Sequence, residues 1–190
     1  MNNSSSARHD AHSVSATHGN WSTRRIATAA LFTAIAIVAS YLEFPIFPLA
    51  PFLKYDPSGI ICLIAGFAFG PATGALVSIL MWIPHLFSNP LGALMGAIAC
   101  TTLTVPASII YQKHTTKTGV FTAMLIAGII CLAASIGANL IITPIYTGAP
   151  RQAIVDMILP ILLPFNVIKI IINCVVCALT YKNISKIIAR

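Results

Sequence analysis

Carboxylates are almost missing from this chain. Asp10, Glu43, Asp56 and Asp156 are the only four among 190 residues, and all charged residues together make up 8%. A soluble domain carries about 25%. With 57% hydrophobic residues and a mean hydropathy of +0.89, too little polar surface remains to cover a core in water. The solvent that suits such a chain is lipid.

Other absences narrow the function. No GxxxxGK[ST] loop occurs, so ATP hydrolysis by that route is excluded. Neither HExxH nor GxSxG occurs, which weakens intramembrane hydrolase readings. Glu43, Asp56 and Asp156 all lie near the ends of apolar runs, whereas proton-coupled pumps carry carboxylates inside their spans. No inverted repeat of the kind many secondary transporters show is visible. The first residues lack the apolar core and cleavage site of a signal peptide.

The apolar runs that are present predict an all-α integral membrane protein of six transmembrane helices. The spans are Arg25–Leu42, Ser58–Phe69, Pro71–Pro84, Leu91–Tyr111, Val120–Ile142 and Ile154–Tyr181. Residues 1–23 read as a disordered cytoplasmic tail and 24–190 as the six-helix membrane domain. His9, His12 and His18 of the tail are not expected to form a metal site. After the first helix, EFPIFPLAPFLKYD carries Pro45, Pro48 and Pro51, which forbid a continuous helix. It is also too apolar for a water-exposed loop, so it is expected to fold over the outer end of the bundle as a lid.

The net charge of +7 is not a nucleic-acid signal, because the cations flank the spans. Arg24, Arg25, Lys113, Lys117, Lys182, Lys186 and Arg190 fall on the side of both termini; Lys54 and Arg151 fall on the other. The positive-inside rule puts both termini in the cytoplasm of a cell membrane.

Few polar residues are buried in the spans. Lys169 sits in the middle of the sixth, and inserting Lys at a helix centre costs about 2.5–3.5 kcal/mol. Asn166 and Asn173 share its helical face. The face carries a binding site, or Lys169 bonds a carbonyl freed by Pro160 or Pro164. Asn139 in the fifth span is a ligand group or an interhelical hydrogen bond. His85 and Asn89 read as turn and cap residues, and Asp156 as a cap of the sixth span. Cys174 and Cys177 form a CxxC inside an apolar helix, without a second pair or a nearby His; they read as small packing residues. Ala30 and Ala34 form a small-xxx-small pair that lets another helix approach closely.

Four stretches resemble a known family: EFPIFPLAPFLKYD, FAFGPATGALVS, NPLGALMGA and LLPFNVIKIIIN. Together they look like the substrate-binding S component of an energy-coupling-factor (ECF) vitamin transporter, most like the riboflavin-specific group, over about Arg24 to Tyr181. The resemblance implies a membrane-embedded riboflavin-binding subunit rather than an enzyme, with riboflavin as transported ligand and no cofactor. It implies that Asn139, Asn166 and Lys169 bind the substrate. It also implies that Ala30 and Ala34 dock a shared transmembrane subunit that works with two ATPase subunits. After FLKYD the chain reads PSG where the riboflavin group tends to have an FSD-like stretch, so no contact is carried over there. The alternatives are an S component for another vitamin or a purine-like compound, and an intramembrane enzyme using Lys169 or the cysteine pair.

Overall fold

The structure is a computed structural model that describes residues 22–47, 50–113 and 116–188. The tail before Ser22, Pro48 and Arg190 lie outside these residues, so the readings of the tail and its histidines are not addressed.

Seven α-helices are described: α1 (Thr23–Ser40), α2 (Ser58–Phe69), α3 (Pro71–Leu80), α4 (Pro90–Lys113), α5 (Lys117–Thr147), α6 (Arg151–Asp156) and α7 (Leu163–Ile188). Two two-residue strands, β1 (Phe44–Pro45) and β2 (Lys54–Tyr55), pair antiparallel between α1 and α2. α1, α4, α5 and the stretch Ile158–Thr180 are each long and apolar enough to cross a bilayer. α2 and α3 are shorter apolar helices.

α1 starts where the Ser22 Oγ accepts from the Arg25 N–H at 3.3 Å. It buries only Ala29, Ala36 and Ser40, while Leu31 and Val38 stay more than half exposed. The long helices α5 and α7 likewise expose Phe121, Leu125, Ile171 and Leu179. Apolar side chains on this scale are unfavourable against water and neutral against acyl chains.

α2 is the buried centre, with Leu63, Ile64 and Phe67 packed among α4, α5 and α7. It turns into α3 at Gly70, whose φ of +91° suits glycine, followed by Pro71 at the first helical turn. The two helices cross closely because both contact positions are glycine: a Cβ on Gly74 would lie 2.8 Å from the Gly66 Cα. This accounts physically for the FAFGPATGALVS pattern.

The sixth expected span is not one continuous helix. α6 ends at Asp156, a π-helical turn covers Ile158–Leu162, and α7 follows. Pro160 and Pro164 supply no amide N–H, and the local hydrogen bonds lengthen to Leu162 N–H to Met157 O at 2.9 Å. Asp156 therefore ends a short helix rather than capping a long one, and its carboxylate accepts from Gln152 at 3.1 Å. The fifth span is longer than expected: it begins at Lys117 and stops at Gly148, a left-handed C-cap whose N–H reaches Pro144 O at 2.9 Å.

The chain between α1 and α2 does not simply lie over the bundle. Ala50 and Leu53 pack with Ile154, Leu162 and Phe165, so this part covers the α6–α7 break. Tyr55 and Asp56 are buried, and Gly59 at the start of α2 abuts Asn173, in the middle of α7. α2 starts only at Ser58, after the irregular chain that packs into the bundle. Such backbone is tolerated at depth only when protein surrounds it or a cavity adjoins it.

Candidate functional site: a cavity between the helices

A cavity of about 360 Å³ opens where that irregular chain meets α4, α5 and α7. Small-molecule sites span about 300–1,000 Å³. Its small-residue wall comes from α4 through Gly92, Ala93 and Gly96. These positions are fixed by neighbours. Asn89 caps α4, accepting from Gly92 N–H at 2.9 Å, and a Cβ on Gly92 would strike that side chain. A Cβ on Gly96 would strike the Trp82 indole. The NPLGALMGA pattern thus encodes a cap and a slot for a ring.

Asn139, Asn166 and Lys169 all line this cavity. Each is partly committed to the protein. Asn166 Nδ2 donates to Leu162 O at 2.7 Å, at the end of the π-helical turn. Asn139 Nδ2 donates to Ser135 O at 2.7 Å, and its Oδ1 accepts from Thr143 Oγ1 at 2.8 Å. An amide has two donors and an acceptor oxygen with two lone pairs, so each keeps an N–H and acceptor capacity for a further partner.

Of the two readings of Lys169, the bond to a carbonyl freed by proline is not what is found. Its partner is neither a carbonyl freed by proline nor any group on α7: Nζ donates to Asp56 Oδ2 at 3.0 Å. The other oxygen of Asp56 accepts from Ser58 N–H at 3.1 Å and from the Ser58 hydroxyl. One carboxylate thus caps α2, where the helix dipole favours negative charge, and neutralises the cation of α7. Both side chains are mostly buried, so a lone charge there would be expensive. Lys169 keeps two N–H donors.

Asp56 is the residue that sequence reasoning missed. It lies 113 positions from Lys169, and its place near the end of an apolar run pointed to no partner inside the spans. Asn173, on the same face as Lys169, instead serves the fold: its Oδ1 accepts from the buried Tyr55 hydroxyl at 3.2 Å. Burial pushes the Tyr55 phenol above its usual pKa, the charge of Asp56 adds to this, and Lys169 partly offsets it. The phenol therefore stays protonated and donating.

His85 and Asn89 also line the cavity. Asn89 is the cap expected of it. His85 is not a solvated turn residue: it is buried, stacks on Tyr41 at 4.5 Å and lies 2.7 Å from the Ser40 hydroxyl. Ala30 and Ala34 are on α1's exposed face, away from the cavity. Cys177 is buried and Cys174 half-buried in the bundle, and among the described residues no group of three metal-ligating side chains occurs.

Long apolar helices with exposed hydrophobic faces around a cavity lined by polar side chains define a membrane protein with a chamber of small-molecule size. The chain belongs to the family of substrate-specific components of ECF transporters, which matches residues 24–181. It is 29% identical over 176 residues to the riboflavin transporter RibU of Staphylococcus aureus, covering 88% of this chain and 93% of that protein. It is 26% identical over 171 residues to the riboflavin transporter FmnP of Bacillus subtilis, covering 83% and 90%. A solved structure, described as the S component of a bacterial ECF transporter, superposes with a TM-score of 0.76 at 30% identity, covering 88% of this chain and 98% of that one. These are transport components rather than enzymes, and the reading of Lys169 or the cysteine pair as catalytic is set aside.

Proposed function

We propose that this chain is the riboflavin-binding membrane subunit of an ECF transporter. The observation that carries the reading is the convergence of Asn139, Asn166 and Lys169 on one cavity, in a chain whose curated relatives are named riboflavin transporters. A flavin ring is flat and largely apolar, with carbonyls and nitrogens along one edge. Amides that both donate and accept suit that edge, and an ammonium donates to a carbonyl. The pairing of Lys169 with Asp56 leaves the site without net charge from these two residues, which suits a neutral ligand.

The membrane arrangement follows the same reading. Six passes are made by α1, α2, α3 with its continuation to Phe87, α4, α5, and the Ile158–Thr180 segment. The Pro-rich connection then faces outward, and both termini lie in the cytoplasm of the cell membrane, with residues 1–23 as a tail on the 24–190 membrane domain. The exposed Ala30 and Ala34 dock the shared transmembrane subunit, and two ATPase subunits supply the energy that this chain has no phosphate loop to provide.

Purification in detergent tests the substrate. The expected result is a yellow preparation, or stoichiometric quenching of riboflavin fluorescence on titration. A colourless protein that leaves riboflavin fluorescence unchanged would remove the substrate assignment and leave the family intact.

A further inference from the structure

α5 and α7 leave an open groove of about 540 Å³ between them, which shares no lining residue with the cavity. Its two ridges are helical stripes: Phe121, Leu125 and Ile129 on α5, and Ile171, Val175 and Leu179 on α7. Every one of these side chains is more than half exposed. Between the ridges, Gly128 lets the helices approach: a Cβ there would stand 3.1 Å from Ile170 Cγ2. No lining side chain carries a nitrogen or an oxygen.

That chemistry separates two kinds of occupant. Helices recognise each other in lipid through small residues and hydrogen-bonding side chains. Here the ridges are bulky and the lining offers no hydrogen-bonding group of that kind, so a flexible hydrocarbon chain fits better than a second helix. The length agrees. The groove follows α5 from Phe121 to Leu132, about 17 Å at 1.5 Å per residue. Half of a bilayer's hydrocarbon core is about 15 Å.

Charge marks which end faces the headgroups. Met124 packs in one cluster with Cys177, and Gly128 meets Ile170, so the two helices run antiparallel. Lys117 stands four residues before Phe121, and Lys182 three residues after Leu179. By helical period both stripes run into a lysine position, at the same end of the groove. Basic sites between helices on the cytoplasmic side of a membrane take anionic lipid headgroups.

We infer that this groove is a lipid site. It holds an acyl chain of an anionic phospholipid from the leaflet at the lysine end, with the headgroup at the level of Lys117 and Lys182. In the membrane arrangement proposed above that leaflet is the cytoplasmic one. Only the choice of leaflet rests on that arrangement, and nothing here rests on the flavin reading.

The test places the full chain in phosphatidylcholine vesicles that contain a small fraction of phospholipid brominated on its acyl chains, because bromine quenches a nearby indole. Phe121→Trp puts an indole on the groove, and Leu31→Trp puts one on the exposed face of α1. Each is read as the difference from the parent chain. At the groove, brominated phosphatidylglycerol should be preferred over brominated phosphatidylcholine by about fivefold or more, the effect of one lysine near an anionic surface. At Leu31 the two lipids should quench alike. Adding Lys117→Gln and Lys182→Gln removes the charge and keeps the groove, and the preference should vanish. Equal quenching by both lipids at the groove would overturn the site, and so would a preference that survives the lysine changes. Protection of the groove indole from both lipids would also overturn it, because a second copy of the chain or a partner helix would then cover the groove. Riboflavin binding should be unchanged in all these variants, and the quenching reads the site in either leaflet, so its failure is distinct from failure of the readings above.

Discussion

The ammonium of Lys169 donates to the carboxylate of Asp56 at 3.0 Å across 113 residues of chain, and the same carboxylate caps the first turn of α2. The contact links the middle of α7 to the start of a helix that begins inside the bundle. It places a cation at the cavity wall without leaving an isolated buried charge, and it ties the cavity-lining side of α7 to the connection between α1 and α2.

Removing the cation should show its share in ligand binding. Lys169→Met is expected to weaken riboflavin binding by about tenfold to a hundredfold, the range for a hydrogen bond to a charged donor. Fluorescence titration of the purified variant measures it. An unchanged affinity would place the ligand elsewhere.

The pair should also appear as a coupling in stability. Asp56→Asn keeps an oxygen able to cap α2 but leaves Lys169 buried beside a neutral group. Breaking a buried pair from one side costs about 3–5 kcal/mol. The double variant Asp56→Asn with Lys169→Met should lose less than the sum of the two single changes. Thermal unfolding in detergent reads all three, and strictly additive losses would contradict a direct pairing.

Gly96 is a steric partner of Trp82. Gly96→Val should push the indole out of its seat, lower the thermal midpoint and narrow the cavity. Combining it with Trp82→Leu, which frees the slot, should recover the thermal midpoint. If the double variant were no better than Gly96→Val alone, the clash would lie with another group.

Ala30 and Ala34 make a prediction with two readouts, since both face outward on α1. Ala30→Leu with Ala34→Leu should leave riboflavin binding by the isolated subunit unchanged, while uptake by cells carrying the full transporter falls at least tenfold. Loss of binding in the isolated subunit would move these alanines from docking to folding.

Much of the architecture was legible in the sequence for a simple reason: in lipid, backbone groups must be satisfied within each segment, so apolar run length maps onto helices. α2 runs Ser58–Phe69 as read from the sequence, and the Gly70–Pro71 turn falls where FGP announced it. The break at Ile158–Leu162 was less visible, because proline marks where a helix is perturbed but not whether it kinks, widens or stops. In the site, the shared face of Asn166 and Lys169 was a matter of helical period and needed no tertiary knowledge. Asn173 lies on the same face, yet it is taken by Tyr55, a distinction that period alone could not make.

What the sequence determined by itself was the solvent, the helices, and which rare polar groups had to point inward. Each of these follows from local composition against a fixed bilayer thickness. Only the tertiary structure decided the partners. Asp56 read as a carboxylate at the end of an apolar run and proved to be the counter-ion of Lys169. His85 read as a turn residue and proved to be a buried ring held by Ser40 and Tyr41. Pairing across such separations depends on how helices pack and where an irregular segment sinks into the bundle. No local pattern encodes that, because the energy that selects a partner is the cost of leaving a buried charge or donor alone.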